Sequence, residues 1–278
     1  MLDQDALVSA AYELQPLPAS IMRLARIVES RDADLRQIVE LVSLDQGLTG
    51  SVLRLANSAA SATGRQISLV RDAVLRVGGG TLLSLAVGQR VRGQMSAALP
   101  AYDLAEGELW RHSVAAALAT ERAGSVCRAG IPPEAFTAAL LHDVGKLVLV
   151  RFLSRDLQEL LERARSEGHV AALEAEREIL GVDHAELGEL VVQHWGLPDA
   201  IARPIAAHHA PTEDDGPVAD AVHLADVIAK RIGAGRGRDA LEVDAGAAER
   251  LGIDDDGIAA LADGVAESFD DVLRRYAA

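Results

Sequence analysis

The chain has 278 residues, 49% of them hydrophobic and only 3% aromatic, and a formal net charge of −15. That length and apolar share allow a substantial buried core and exclude disorder as the expected state. The acidic balance repels phosphate backbones, so direct binding to DNA or RNA is not expected.

The N-terminus, MLDQDALVSA, has neither a basic start nor a continuous apolar stretch. No later run approaches the roughly 18 uncharged residues of a membrane span, so a soluble cytoplasmic protein without a membrane partner is expected. Ala, Leu and Val dominate, which favours helices around an aliphatic core. Apolar residues recur at helical spacing through Ile21–Val28, Leu35–Val42 and Val52–Ala56. Pro16 and Pro18 precede the first of these helices, Asp32 and Asp34 are candidate caps for the second, and Gly47 and Gly50 punctuate the third. Gly78-Gly79-Gly80 then separates two helical segments. Without the lysine and spacing of a phosphate-binding loop, the triplet reads as a helix–turn–helix.

Composition changes near Pro100, where we place the main boundary. A long helix runs from Glu106 toward Gly124, and Cys127 beyond it reads as a small buried or half-buried apolar residue without chemistry. Pro132-Pro133 opens a helix that leads directly into HDVGK. Further helices are expected at about 156–167, 170–180, 184–195, 198–209 and 217–232. An acidic tail closes with an amphipathic helix over 256–276, and no strand pattern appears. The expected architecture is all-α: an N-terminal helical lobe over 1–100, a helical bundle over 101–235 and a tail over 236–278.

A histidine alone on an apolar helix face is more often a hydrogen-bonded core residue than a ligand. The adjacent pair His142-Asp143 is different, because neighbours on a helix point about 100° apart. Both reach one ion only at a helix end, with other ligands converging from elsewhere. Leu140-Leu141 before the pair and Gly145 after it fit such an end.

Read with LLHDVGK, the chain resembles the HD superfamily of metal-dependent phosphohydrolases. That resemblance implies a helical bundle gathering an isolated His, the HD pair and a distant Asp around divalent metal. His112 in WRHS, His142-Asp143 and Asp226 in HLADVIA match those positions, and Lys146 matches a Lys that follows the pair. His184 and His208-His209 match additional histidines of the HD-GYP branch, an inventory sufficient for two ions of Fe, Mn, Mg or Zn. Asp143 is the candidate bridge between ions, and Lys146 could offset charge on a phosphoryl oxygen. APTEDDG after the histidine pair lacks that branch's Glu and Gly-Tyr-Pro segment, which argues against cyclic-dinucleotide hydrolysis.

The first part resolves the branch. Leu17-Pro18, Asp45 with Leu48-Thr49, Leu53–Ser58 and the stretch ISLVRDAVLRVGGG resemble the HDOD family over about residues 13–235. This resemblance implies a bacterial regulatory or scaffold protein with signalling partners that are separate proteins. The alternative is a metal-dependent phosphohydrolase acting on a nucleotide or another phosphoester. Outside the motifs, Asn57-Ser58 reads as a helix C-terminal turn, and His223 as structural rather than as a partner of the ligands. His194 stands at a helix stop where Trp195 packs the core, and His169 reads as exposed. The acidic runs Glu213–Asp215 and Asp254–Asp256 read as solvated loops.

Overall fold

The computed structural model describes residues 9–30, 34–60, 66–152, 155–167, 172–234 and 242–277. Among the described residues there are fifteen α-helices and no strand, with one isolated antiparallel bridge between Leu99 and Leu104. The all-α expectation therefore holds. Candidate cap Asp32 and His169 lie outside the described residues.

Helix α1 (Ala19–Glu29) follows Pro18, whose carbonyl accepts the Ile21 N–H, and it buries Ile21, Leu24 and Ala25. Helix α2 (Leu35–Leu44) is capped by Asp34, whose carboxylate accepts the Arg36 N–H at 2.9 Å. Helix α3 (Gln46–Ala60) starts earlier than its glycines indicate, because Asp45 accepts the Leu48 N–H and Thr49 donates back to the Val42 carbonyl. The Asp45–Thr49 element is thus a helix start, with both orphaned ends of the α2–α3 turn satisfied.

Asn57 departs from the expected C-terminal turn. It lies inside α3, and its side-chain amide donates to the Ile67 carbonyl at 2.8 Å while its oxygen accepts the Ile67 N–H at 2.7 Å. The loop at Ile67 is thereby clamped to α3. Asn57→Ala leaves two part-buried backbone groups without partners and should cost about 1–3 kcal/mol. Chemical denaturation checks this, and a loss below ~0.5 kcal/mol would show that water replaces the clamp.

Helices α4 (Val70–Val77) and α5 (Gly79–Met95) meet at Gly78, whose φ of 81° lies in the left-handed region. The other two glycines allow close approach. A Cβ on Gly79 would sit 3.1 Å from Val28, and one on Gly80 would sit 3.0 Å from Pro133. The expected helix–turn–helix is present, and the triplet seats α5 against α1 and the start of α7 (Glu134–Leu141). A buried hydrogen bond of 2.8 Å between Ser84 and Thr137 ties α5 to α7.

Beyond a loop holding the 3-10 turn Pro100–Tyr102, α6 (Glu108–Ala123) is buried from Leu109 to Thr120 except at Arg111. A helix apolar nearly all round belongs at the centre of a bundle. It packs most extensively on α13 (Gly216–Arg231), itself buried from Ala219 to Ala229. Of the helices that follow α6, α7 packs on both members of this pair and α12 (Asp199–Ala207) on α13, while α8 (Gly145–Phe152) and α12 pack on α11 (His184–His194), and α9 (Arg155–Glu167) packs on α10 (Ala172–Leu180).

The C-terminal region is more than the expected tail. Asp244 caps a short helix, α14 (Ala245–Leu251), and α15 (Asp255–Ala277) packs on α6 and α13 through Ile258, Leu261, Val265 and Phe269. Their spacing turns one apolar stripe inward, while the acidic residues that dominate the composition face out. One continuous core runs from Ala10 to Phe269.

Candidate metal centre

Each expected ligand stands at or near a helix end, or on the central pair. His112 comes from the first turns of α6 and Asp226 from the middle of α13. His142 and Asp143 occupy the turn between α7 and α8, His184 is the first residue of α11, and His208-His209 follow the last turn of α12. Helix α11 starts where it does because Asp183 forms a capping box with Glu186, accepting the Glu186 N–H at 2.9 Å. Arg177 pairs with that same buried carboxylate at 2.7 Å. Gly145 lets α8 cross α11 at backbone contact, which carries Asp143 to His184.

Four ligand atoms converge first. His112 Nε2 lies 3.1 Å from His142 Nε2, 3.1 Å from Asp226 Oδ1 and 3.6 Å from Asp143 Oδ2. His142 Nε2 lies 3.5 Å from Asp143 Oδ2 and 3.7 Å from Asp226 Oδ1. Four ligands at 2.0–2.1 Å from one ion form a tetrahedron with edges of about 3.3 Å. The five spacings of the two histidines to each other and to the two carboxylates bracket that value, and His112, His142 and Asp226 by themselves form a set that could hold an ion. The ring orientations are held from behind: Nδ1 of His112 donates to the Ala234 carbonyl at 3.1 Å, and Nδ1 of His142 to the Ala139 carbonyl at 2.7 Å. With Nδ1 protonated, each Nε2 presents a lone pair to the centre.

A second compartment adjoins the first through Asp143. Its other oxygen, Oδ1, lies 3.3 Å from His184 Nε2, which is 2.9 Å from His209 Nε2. The ligand atoms of His184, His208 and His209 all lie within 4.8 Å of one another. Nδ1 of His208 donates to the Ile205 carbonyl at 2.6 Å, leaving a fully buried Nε2 without a hydrogen-bond partner. A buried lone pair left unmatched in a polar cluster marks a place for an electrophile. All seven expected ligands are thus brought together, with Asp143 between the two compartments.

Three residues that sequence reasoning missed complete the surroundings. Glu176 accepts both the His184 backbone N–H and its Nδ1–H at 2.7 Å, and accepts the Tyr102 hydroxyl at 2.7 Å. Lys230 donates to Asp226 Oδ2 at 2.8 Å, as Lys146 does to Asp143 Oδ2 at 2.7 Å. Lys230 was legible as a partner four residues on from Asp226 along one helix. Nothing in the local pattern singled out Glu176 or Tyr102, because their nearness to His184 is created by tertiary packing.

Burial pushes the two ligand carboxylates up, yet Lys146 and then His142 hold Asp143 well below the usual range, and Lys230 and then His112 do so for Asp226. Both are ready-made anions. Burial, then the neighbouring rings, holds His208 and His209 well below the usual imidazole range, so they offer neutral nitrogens. Burial lowers His184 too, but Glu176 outweighs it and, with Asp143, raises the imidazole to about 9.

This gives a pH prediction for the metal-free protein. A folded-state value raised from 6.5 to about 9 stabilises fully below pH 6.5 and is lost as pH rises through 9. The stake is roughly 3 kcal/mol. Melting temperature should therefore fall from pH 6.5 to 9.5, and Glu176→Gln should flatten that slope; equal slopes in both proteins would refute the pairing.

The two other histidines among the described residues, His223 and His194, are structural. His223 Nδ1 donates to the His208 carbonyl at 2.9 Å, and its Nε2 accepts the Asp244 N–H at 2.9 Å, a strut between the histidine pair and α14. His194 is exposed and packs against Tyr12, while Trp195 is fully buried in the core. The acidic runs cap their own helical turns: Asp215 accepts from Thr212, and Asp254 accepts the Gly257 N–H.

The HDOD domain model matches residues 14–211. An uncharacterized protein of Treponema pallidum (strain Nichols) is 26% identical over 202 residues, 71% of this chain and 38% of that protein. The chain therefore spans well under half of the curated relative it matches. A solved structure from Marinobacter aquaeolei, named a candidate signal transduction protein, superposes with a TM-score of 0.74 at 24% identity, covering 99% of this chain and 65% of that one. At that identity the likeness speaks for the fold alone. A Shewanella amazonensis structure, named a candidate phosphohydrolase, superposes with a TM-score of 0.71 at 27% identity, covering 98% of this chain and 97% of that one.

Proposed function

Because this chain belongs to the HDOD domain family, we propose that it is a regulatory module of bacterial signal transduction, built around a resident divalent ion and acting through a bound ligand or protein. The observation that carries this reading is the cage of His112, His142, Asp143 and Asp226. Its spacings of 3.1–3.7 Å suit one ion before any ion arrives. Such preorganisation means that binding costs little rearrangement. His112, His142 and Asp226 would hold the ion, with Asp143 reaching toward a second position. When bound, the ion would polarise an oxygen of a phosphoryl group or lower the pKa of a water. Lys230 holds the outer oxygen of Asp226 in place, Lys146 donates to Asp143 Oδ2, the oxygen that faces His112 and His142, and Glu176 fixes the His184 ring.

The second reading, a metal-dependent phosphohydrolase, draws on that same centre and on the likeness to the Shewanella amazonensis structure. Against it stands Ala210 directly after the histidine pair, where the HD-GYP pattern carries a Glu. Turnover decides between them. Protein loaded with Mn, Fe or Mg is expected to leave phosphomonoesters, nucleotides and cyclic dinucleotides intact. Hydrolysis that disappears in Asp143→Ala would establish the enzyme reading instead.

A further inference from the structure

The last carbonyls of a helix have no partner within it, and in the turn after α12 two such groups are met from the C-terminal part of the chain. The His208 carbonyl accepts from His223 Nδ1 at 2.9 Å, and the Pro211 carbonyl accepts from Arg250 Nη2 at 2.9 Å. Both donors are themselves fixed by α14. His223 Nε2 accepts the N–H of Asp244, whose carboxylate caps α14 by accepting the Ala247 N–H at 2.9 Å. Arg250, in the last turn of α14, grips the buried Asp220 of α13 with two prongs, Nε to Oδ2 at 2.9 Å and Nη2 to Oδ1 at 2.6 Å. One guanidinium thus ties α13, α14 and the turn together, a fork that a lysine ammonium does not reproduce. Helix α14 is in turn anchored away from the site: Ala247 and Leu251 are fully buried, the Leu251 carbonyl accepts the Ala129 N–H at 3.0 Å, and the Gly252 carbonyl accepts from Arg128 Nε at 3.1 Å. The rings of the pair have few restraints of their own. His208 donates to the Ile205 carbonyl and its Nε2 has no partner, while His209 Nε2 meets His184 Nε2 at 2.9 Å. Where these rings stand is therefore set by the backbone of the turn.

We propose that His223 and Arg250 are positioning residues: through them α14 fixes the backbone of His208–Pro211, and so the placement of the His208 and His209 rings against His184. Both act on carbonyls of the turn and not on the ring nitrogens. The site is thereby coupled to a helix that lies past residue 211, where the family match ends. The coupling is reciprocal, so whatever draws the two rings toward His184 also holds α14 in place. Only where an ion supplies that pull does the inference rest on the metal reading above.

The test is amide hydrogen exchange of the whole chain together with nitrogen NMR of the histidine rings, first without metal. His223→Leu removes both ends of its strut, whereas His223→Gln keeps one donor and one acceptor. Arg250→Lys keeps the charge and loses the fork. His223→Leu and Arg250→Lys should each speed exchange at His209 and Ala210 by about tenfold or more through local opening, with exchange in α6 unchanged. Both should also shift the ring-nitrogen signals of His184 and His209, and His223→Gln should restore them. A role in fold stability alone would speed α6 equally and leave the ring signals where they were. That pattern, or no change at His209 and Ala210 in either variant, would overturn the proposal. Zn(II) then reads the reciprocal effect: it should slow exchange across Ala247–Leu251 in the unaltered chain and do so less in Arg250→Lys. Bound Zn(II) that leaves α14 exchange unaltered would overturn the coupling, whereas no bound Zn(II) would count against the metal reading and leave the metal-free result standing.

Discussion

Asp143→Asn is expected to lower divalent-ion affinity by more than about 100-fold. Changes to residues that merely support ligands typically cost 10–100-fold, and Asp143 stands in the ligand set itself. Its Oδ2 lies within 3.6 Å of both first-compartment histidines, and its Oδ1 is the contact with His184. The amide has the same shape but lacks the charge that offsets a divalent ion, so the loss reads electrostatics rather than a cavity. Asp143→Ala should show the same metal loss together with a fold penalty. It strands Lys146, which is only 13% exposed, without its partner at 2.7 Å, and breaking a buried pair from one side costs about 3–5 kcal/mol. Metal content after dialysis and thermal unfolding of both variants separate the two effects. Full metal retention by Asp143→Asn would remove the aspartate from the ligand set.

Much of this arrangement was legible in the sequence: the HD pair by its adjacency at a helix end, and His112, His184, His208, His209 and Asp226 through the resemblance of their local motifs to the HD superfamily. The helices were legible too, since Leu, Ala and Val at intervals of three and four allow one packing face each. What stayed hidden depends on side chains meeting across the fold. Glu176 is an ordinary exposed-looking residue of ALEAEREIL until α10 packs beside α11 and its carboxylate meets His184. Asn57 had a plausible local role as a helix end, yet its amide pairs with Ile67, ten residues away. The amphipathic helix over 256–276 was legible, but not the short α14 before it nor the packing of α15 on α6 and α13, which is made across the fold.

Gly145→Ala should be among the most damaging single-atom additions in the chain. A Cβ there would lie 1.9 Å from the His184 carbonyl oxygen and 2.7 Å from the Gly188 nitrogen. Both are backbone atoms, so no rotamer change relieves the clash. Helix α8 has to move off α11, which separates Asp143 from His184 and opens the core around them. Overpacking of this kind costs ~3 kcal/mol or more, which in a chain of this size lowers the melting temperature by roughly 10 °C. Two other glycines calibrate the effect. At Gly188 the added atom meets the γ2 methyl of the buried Ile205 at 2.9 Å, a single side-chain contact rather than two backbone ones, so a smaller loss is expected. At Gly93, inside α5, it meets nothing within 4 Å, so alanine should stabilise by about 0.5–1 kcal/mol through helix propensity alone. Thermal unfolding of the three variants should therefore rank Gly145 below Gly188 below Gly93, with metal content lost in the first. A Gly145→Ala protein that melts with the unaltered chain and keeps its metal would show that α8 and α11 do not cross at backbone contact, and the Asp143–His184 link would fall with that crossing.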